Sequence, residues 1–305
     1  MTRRAMSGIE GRGPRLRQMV ALPRLDPGLR MGAVHLAVSD LGRSVDFYGR
    51  VLGLEVISSG QEGATLGAGP EHTLVELTRL AHPSTAPPAS TGLFHLALLH
   101  ADRGALADTL KRIVAAHWPL SGAADHGVSE ALYLADPDGL GIEVYVDRPR
   151  ERWTRAPDGT LDIYTAPLDI DDLVAQGAPR PVTALAARTV MGHVHLKVSD
   201  VPRAAAFYRD ALGLDLQAHM PSAAFLSAGG YHHHVGVNAW QSRGAPPPPP
   251  TAPGLRLFEL LLSDPAALEA AAERLQTCAP SGVHRDGDHL NAHDPDGNRL
   301  VLQAA

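Results

Sequence analysis

At 305 residues the chain is long enough for two domains, and 27 Lys and Arg against 33 Asp and Glu leave a net charge of -6. That balance excludes a phosphate-backbone partner. The single cysteine, Cys278, excludes an internal disulfide and points to the cytoplasm, and no apolar run approaches the roughly 20 residues that span a bilayer.

Residues 1–30, rich in Arg (Arg3, Arg4, Arg12, Arg15, Arg17), read as a disordered leader. A first domain follows over 31–148. Val34 to Val38 read as a strand, Asp40 stands near a helix start, Phe47-Tyr48 lie on an apolar 3,4-spaced segment, and Gly53 marks its end. Short strands are expected at 55–59 and 72–77. A second unit opens at 93–98, continues as a helix over 105–116, and closes with Tyr133, an Asp136-Pro137-Asp138-Gly139 turn and a strand through Ile142 and Glu143. Residues 149–190 read as an irregular linker.

The first unit then recurs at an offset of 160 residues, as Val194-His195-Leu196-Lys197-Val198-Ser199-Asp200, Phe207-Tyr208 and Leu212-Gly213-Leu214. A period this long means a duplicated domain, placed at 191–305. Strands are expected there at 223–227 and 232–238. The fourth unit comprises a strand at 255–262, a helix at 266–276 and the turn Asp294-Pro295-Asp296-Gly297 before Leu300. Pro246 to Pro250 form a stiff loop that cannot join a ladder. The expectation is an α+β fold of four βαβββ modules.

The 16 histidines are the unusual feature of the composition, because neutral imidazole is the commonest side-chain metal ligand. Four such modules with two Asp-Pro-Asp-Gly turns resemble the vicinal oxygen chelate superfamily, which includes glyoxalase I, bleomycin-binding proteins and extradiol dioxygenases. The run Asp125-His126-Gly127-Val128-Ser129-Glu130-Ala131-Leu132-Tyr133, with Glu143 and Tyr231-His232-His233-His234, resembles the extradiol signature. The layout is similar to the bacillar catechol 2,3-dioxygenases. The resemblance implies two domains with cupped mixed sheets and an Fe(II) ion, with Mn(II) as the other option, held by two His and one Glu. Such a set leaves adjacent coordination positions open for a diol and dioxygen.

In the family the ligand His lies seven residues before the Asp that closes the first strand. The matching positions are His95 before Asp102 and His193 before Asp200, but Ala33 before Asp40 and Leu257 before Asp264. The Glu position holds Glu143 in module two and Val301 in module four. The implied metal set is therefore His95, Glu143 and His193, which requires modules two and three to share a cup. The resemblance also places His233 as the acid-base histidine, with His232 beside it, and His126 and Tyr133 against the substrate oxygens. The implied partners are a small aromatic diol and dioxygen, with a homo-oligomer left open.

Plainer readings stand beside these. His35 and His195 read as buried histidines satisfied by polar neighbours. On a regular strand His233 would point opposite to His232 and His234, so all three could not serve one ion. Tyr48 and Tyr208 read as core packing. A glyoxalase I-like isomerase or lyase would use Glu76, His95, Glu143 and His35 from the first domain. A metal-free protein of the bleomycin-sequestering type would use the cup as an apolar pocket alone.

Overall fold

The computed structural model describes residues 22–305, so residues 1–21 of the expected leader lie outside the described residues. Residues 22–30 depart from that expectation. Leu25 and Leu29 are buried, and Leu25 N–H donates to the Gly213 carbonyl at 3.0 Å, because these apolar side chains find a place in the core.

Module one comprises β1 (Arg30–Val38), α1 (Leu41–Asp46), β2 (Glu55–Ser59), β3 (Gly63–Gly67) and β4 (Thr73–Arg79). Module two comprises β5 (Gly92–His100), α2 (Arg103–Ala115), β6 (Leu120–Asp125), β7 (Ser129–Ala135) and β8 (Gly141–Asp147). The connection carries a short helix, α3 (Ile170–Ala175), so it is not wholly irregular. Module three comprises β9 (Val190–Lys197), α4 (Val201–Ala206), β10 (Asp215–Met220), β11 (Ala223–Ser227) and β12 (Val235–Asn238). Module four comprises β13 (Gly254–Leu262), α5 (Pro265–Cys278), β14 (Val283–Asp286), β15 (His289–His293) and β16 (Arg299–Ala304).

Each first strand stops at an aspartate whose carboxylate caps the next helix. Asp40, Asp102, Asp200 and Asp264 each accept from the backbone N–H three residues on, at 2.8 to 3.0 Å. Such a cap contributes about 1 kcal/mol and fixes where the strand ends. In modules one and three the helix continues as π-helical turns, Phe47–Val51 and Phe207–Leu212.

The strands form two eight-stranded mixed sheets, β14-β15-β16-β13-β1-β4-β3-β2 and β10-β11-β12-β9-β5-β8-β7-β6. Module one thus shares a sheet with module four, and module two with module three. Each half of the sequence gives one module to each sheet. Within a half, the Asp-Pro-Asp-Gly turn docks one module on the other. The buried Tyr48 hydroxyl donates to Asp136 at 3.3 Å, and Tyr208 donates to Asp294 at 3.0 Å. Both rings pack edge-on against their neighbouring phenylalanines at 5.2 Å, so these tyrosines are core residues with satisfied hydroxyls.

Alternation along β5 sends Leu96 and Leu98 into the apolar core with Leu110 and Ile113 of α2, and His95 and Ala97 to the opposite face. A strap before α3 ties both outer edges of this second sheet. Ala166 exchanges two 2.9 Å backbone hydrogen bonds with Asp125 at the end of β6, and Leu161 N–H donates to the Gln217 carbonyl of β10 at 2.7 Å. Leu161 also packs with Ala218, Ala223 and Phe225, so the strap crosses the mouth of the second cup.

Candidate metal centre

The register at the middle of the second sheet gathers the cluster. Ala97 stands opposite Glu143 of β8 on one side and opposite His193 of β9 on the other. His95 lies two residues back on the same face. The three side chains therefore converge over the methyl group of Ala97.

His95 Nε2 lies 3.3 Å from His193 Nε2 and 3.1 Å from Glu143 Oε2, and His193 Nε2 lies 3.4 Å from the same oxygen. All three residues are buried, and their ligand atoms are the one such group among the described residues. Ligands about 2.1 Å from an ion and at right angles to one another sit about 3 Å apart. The cluster matches one face of an octahedral site.

Protonation agrees with that fit. Burial drives the His193 imidazole down to about 4, so it is neutral near pH 7. Burial alone would push the Glu143 carboxyl up, but attraction from His193 and His95 outweighs it and holds the group well below its usual range. A carboxylate with a neutral imidazole is the form a divalent ion takes without displacing protons. Nδ1 of His193 is buried without a hydrogen-bond partner, so the ring's polar contact lies wholly on the Nε2 side facing the cluster.

The cluster opens onto a cavity of about 650 Å³ with walls from Phe94, Phe225, Ile163 and Trp240. A register shift between Leu93 and His95 accompanies the placing of Phe94 on that wall, as bulges beside sites commonly re-aim a side chain. Two polar arrangements reach the cavity. In the first, His126 Nδ1 lies 2.7 Å from the Tyr164 carbonyl, which can only accept. Nδ1 therefore carries the proton, and Tyr133 donates its hydroxyl to His126 Nε2 at 2.7 Å. Burial and the nearby Glu143 raise the Tyr133 phenol far above its ordinary value, so it stays protonated.

In the second arrangement, His232 Nε2 donates to the Asp147 carboxylate at 3.0 Å. His232 Nδ1 is then the acceptor, and His233 Nδ1–H donates to it at 2.7 Å. His233 lines the cavity, its ring tilted against that of His193 at 4.0 Å between centroids. Its remaining nitrogen, Nε2, carries a lone pair.

Some sequence expectations change. His232, His233 and His234 lie in the turn before β12 rather than on a strand over 232–238, so strand alternation does not govern them. Two consecutive residues with positive φ, Gly229 and Gly230, break the strand. His234 is structural, its Nδ1 accepting from Ala228 N–H at 3.3 Å. His195 is buried but its Nε2 has no polar partner, contrary to the satisfied histidine expected. His35 does find partners, Glu76 at 3.1 Å and Glu259 at 2.9 Å, all in the first sheet. His35 and Glu76 are therefore not brought to His95 and Glu143, and the four-residue glyoxalase-like set does not assemble.

Sequence reading missed Tyr145 and Asp147, although a period of two from Glu143 along β8 points to both. Tyr145 and Tyr231 hydroxyls lie 2.7 Å apart, and Tyr231 donates to Asp147 at 3.2 Å, completing the chain that ends on His232. Tyr164 and Ile163, from the strap, carried no signal, because their place depends on tertiary contacts.

Comparison with known proteins agrees with this architecture. The model of the Glyoxalase/Bleomycin resistance protein/Dioxygenase superfamily matches residues 30–144 and 190–302. A "Catechol-2,3-dioxygenase" of Bacillus subtilis (strain 168) is 41% identical over 268 residues, covering 87% of this chain and 93% of that protein. Among solved structures, glyoxalase I from Zea mays aligns over 90% of this chain and 92% of its own, at 19% identity and a TM-score of 0.54. The cppA protein from Streptococcus pneumoniae aligns over 90% and 100%, at 10% identity and a TM-score of 0.51, and at such identities the likeness concerns the fold. With a family match spanning both halves of a four-module α+β chain, this protein belongs to the glyoxalase/bleomycin resistance protein/dioxygenase superfamily.

Proposed function

We propose that the protein is a non-haem Fe(II)-dependent extradiol dioxygenase that opens a catechol-type ring with dioxygen. The observation that carries this reading is the buried His95, Glu143 and His193 cluster, whose free side opens on an aromatic-walled cavity. The name of the 41% identical Bacillus relative supports it. His95, Glu143 and His193 would hold the ion, which when bound supplies diol chelation and the redox chemistry that dioxygen requires.

The remaining steps belong to the chain's own groups. His233, with Nδ1–H committed to His232, offers Nε2 as the base that takes a hydroxyl proton from the diol and returns it as the ring opens. Asp147 and His232 fix that tautomer. Tyr133, kept protonated by burial and turned by His126, stands as a hydrogen-bond partner for a substrate oxygen rather than as a base. Phe94, Phe225 and Trp240 give the ring apolar contact and keep water from the reacting atoms.

The test is metal reconstitution under nitrogen, with Fe(II) and Mn(II) in parallel, followed by a catechol panel in air-saturated buffer. A yellow ring-opened product that depends on Fe(II) is expected. Full turnover by metal-free protein, or none of the panel opened by Fe(II)-loaded protein, overturns the reading.

A further inference from the structure

Strand β9 presents His193, His195 and Lys197 on one face, since alternate residues share a side. At about 3.3 Å per residue, Lys197 lies roughly 13 Å along the strand from the innermost histidine. His195 fills the interval, with its ring 5.3 Å from Phe94 and 5.5 Å from Trp240 between centroids. Phe94 and Trp240 themselves meet edge-on at 5.1 Å. The cavity thus runs from the histidine and glutamate cluster, past an aromatic wall, to a lysine at its far end.

The Lys197 side chain is half-buried there and, among the described residues, its ammonium makes neither a hydrogen bond nor an ion pair. Burial lowers the affinity of its amine for a proton, and no neighbouring acid offsets that effect. The same side chain borders a second cavity that contains Asp138 and Asp296. Those carboxylates are already engaged, the first by Ser39 and Arg43, the second by Ser199 and Arg203. A partly desolvated ammonium without a counterion is unfavourable, and its attraction for an anion grows beside low-dielectric walls.

We propose that Lys197 selects aromatic diols that carry an anionic side chain, a carboxylate above all. The inference rests on the dioxygenase reading and adds the substrate class to it. With the diol end at the cluster and the ring against Phe94 and Trp240, a short acidic substituent points along β9 toward the ammonium. Lysine stem and substituent together span the interval, so the length of the acid chain matters as well as its charge.

The experiment measures binding and turnover separately on Fe(II)-loaded protein. Anaerobic calorimetry compares 3,4-dihydroxybenzoate and 3-(3,4-dihydroxyphenyl)propionate with their uncharged methyl esters, and catechol turnover is followed in parallel. One of the two acids is expected to bind roughly 10-fold to 100-fold more tightly than its ester, the range of a charge-assisted hydrogen bond. Lys197→Met should bring that ratio near one, and Lys197→Arg should keep most of it. Taking the ratio within each protein cancels general damage from the substitution. If catechol is opened but neither acid is preferred, or if the preference survives Lys197→Met, the role of Lys197 is overturned. If no diol is opened at all, it is the dioxygenase reading that fails.

Discussion

Replacing His193 by alanine probes the junction between the two halves of the chain, because His95 and Glu143 come from one half and His193 from the other. Structural zinc sites bind with about 10–16 kcal/mol over four ligands, so one ligand of a similar set contributes on the order of 3 kcal/mol. Metal affinity should fall roughly 10²-fold to 10³-fold. The fold should survive. The His193 ring packs 4.0 Å from His233 and 5.0 Å from Tyr145, so its removal leaves a cavity, but it also removes a buried Nδ1 that has no partner. The two effects oppose, for a net cost of about 1–2 kcal/mol. Glu76→Ala is the matched control, since Glu76 meets His35 in the other sheet and should leave metal binding intact. Mn(II) titration calorimetry and elemental analysis read the metal, while circular dichroism and thermal melting read the fold. A folded His193→Ala protein that keeps its ion at parental affinity and opens catechol normally would refute the shared site. Loss of metal in Glu76→Ala instead would move the site into the first half of the chain.

Ala97→Leu should reduce metal affinity at least roughly 10-fold without altering a ligand, because a branched side chain would occupy the space between Glu143 and His193, at an overpacking cost of about 1–3 kcal/mol. Parental affinity in that variant, read by the same Mn(II) titration, would mean that the ion does not sit over Ala97. His233→Phe should keep the metal and slow turnover by roughly 10²-fold or more; stopped-flow rates and metal content together decide, since lost metal would make His233 a ligand and unchanged rates would remove it from the chemistry. His100, held between the Thr189 and Thr109 hydroxyls at 2.9 and 3.0 Å, is pulled by burial from the ordinary 6.5 down to about 4. The folded state resists its protonation, so this contribution is fully present above about pH 6.5 and is lost as pH falls toward 4. Between pH 7.5 and 5 the loss is on the order of 2 kcal/mol, and His100→Gln should flatten that part of a urea-midpoint profile. An unchanged slope in the variant would contradict the assignment.

The count back from an aspartate picked out residues that the fold gathers into one cluster because the landmark is physical. Asp40, Asp102, Asp200 and Asp264 all end a strand and cap a helix, so equal distances from them mean equal places on the sheet. The alternation of His95 with Leu96, and of Glu143 with Val144, was legible for the same reason. Module pairing was legible only through the implied ligand set, which needed modules two and three together. It depends on the antiparallel joints of β5 with β9 and of β1 with β13, formed between segments far apart in sequence, and nothing local in β5 names its partner. The short strands β3 and β10 escaped because five or six residues with Gly63, Gly67 or His219 give too few apolar alternations to stand out. The histidine turn at 232–234 escaped because three polar residues before a strand look like its beginning, and only the backbone at Gly229 and Gly230 stops the ladder there.

The first sheet shows what separates a cup with a candidate ligand cluster from one without. At the places of His95, Glu143 and His193 it has Leu257, Val301 and Ala33, so the donors are gone. The gap between them has closed as well. Glu259 stands opposite Val301 as Ala97 stands opposite Glu143, and Glu76 stands opposite His35 as Gly236 stands opposite His195. Where the second cup has a methyl group and a bare glycine, the first has two carboxylates that clamp an imidazole between them. Space in the second cup is therefore as much a part of the site as its ligands. Ala97 leaves open the volume that the proposed ion would need, and Gly236 lets the His195 ring approach β12, where even a Cβ would come within 3.0 Å of it. In the first cup the corresponding places are taken by Glu259 and Glu76.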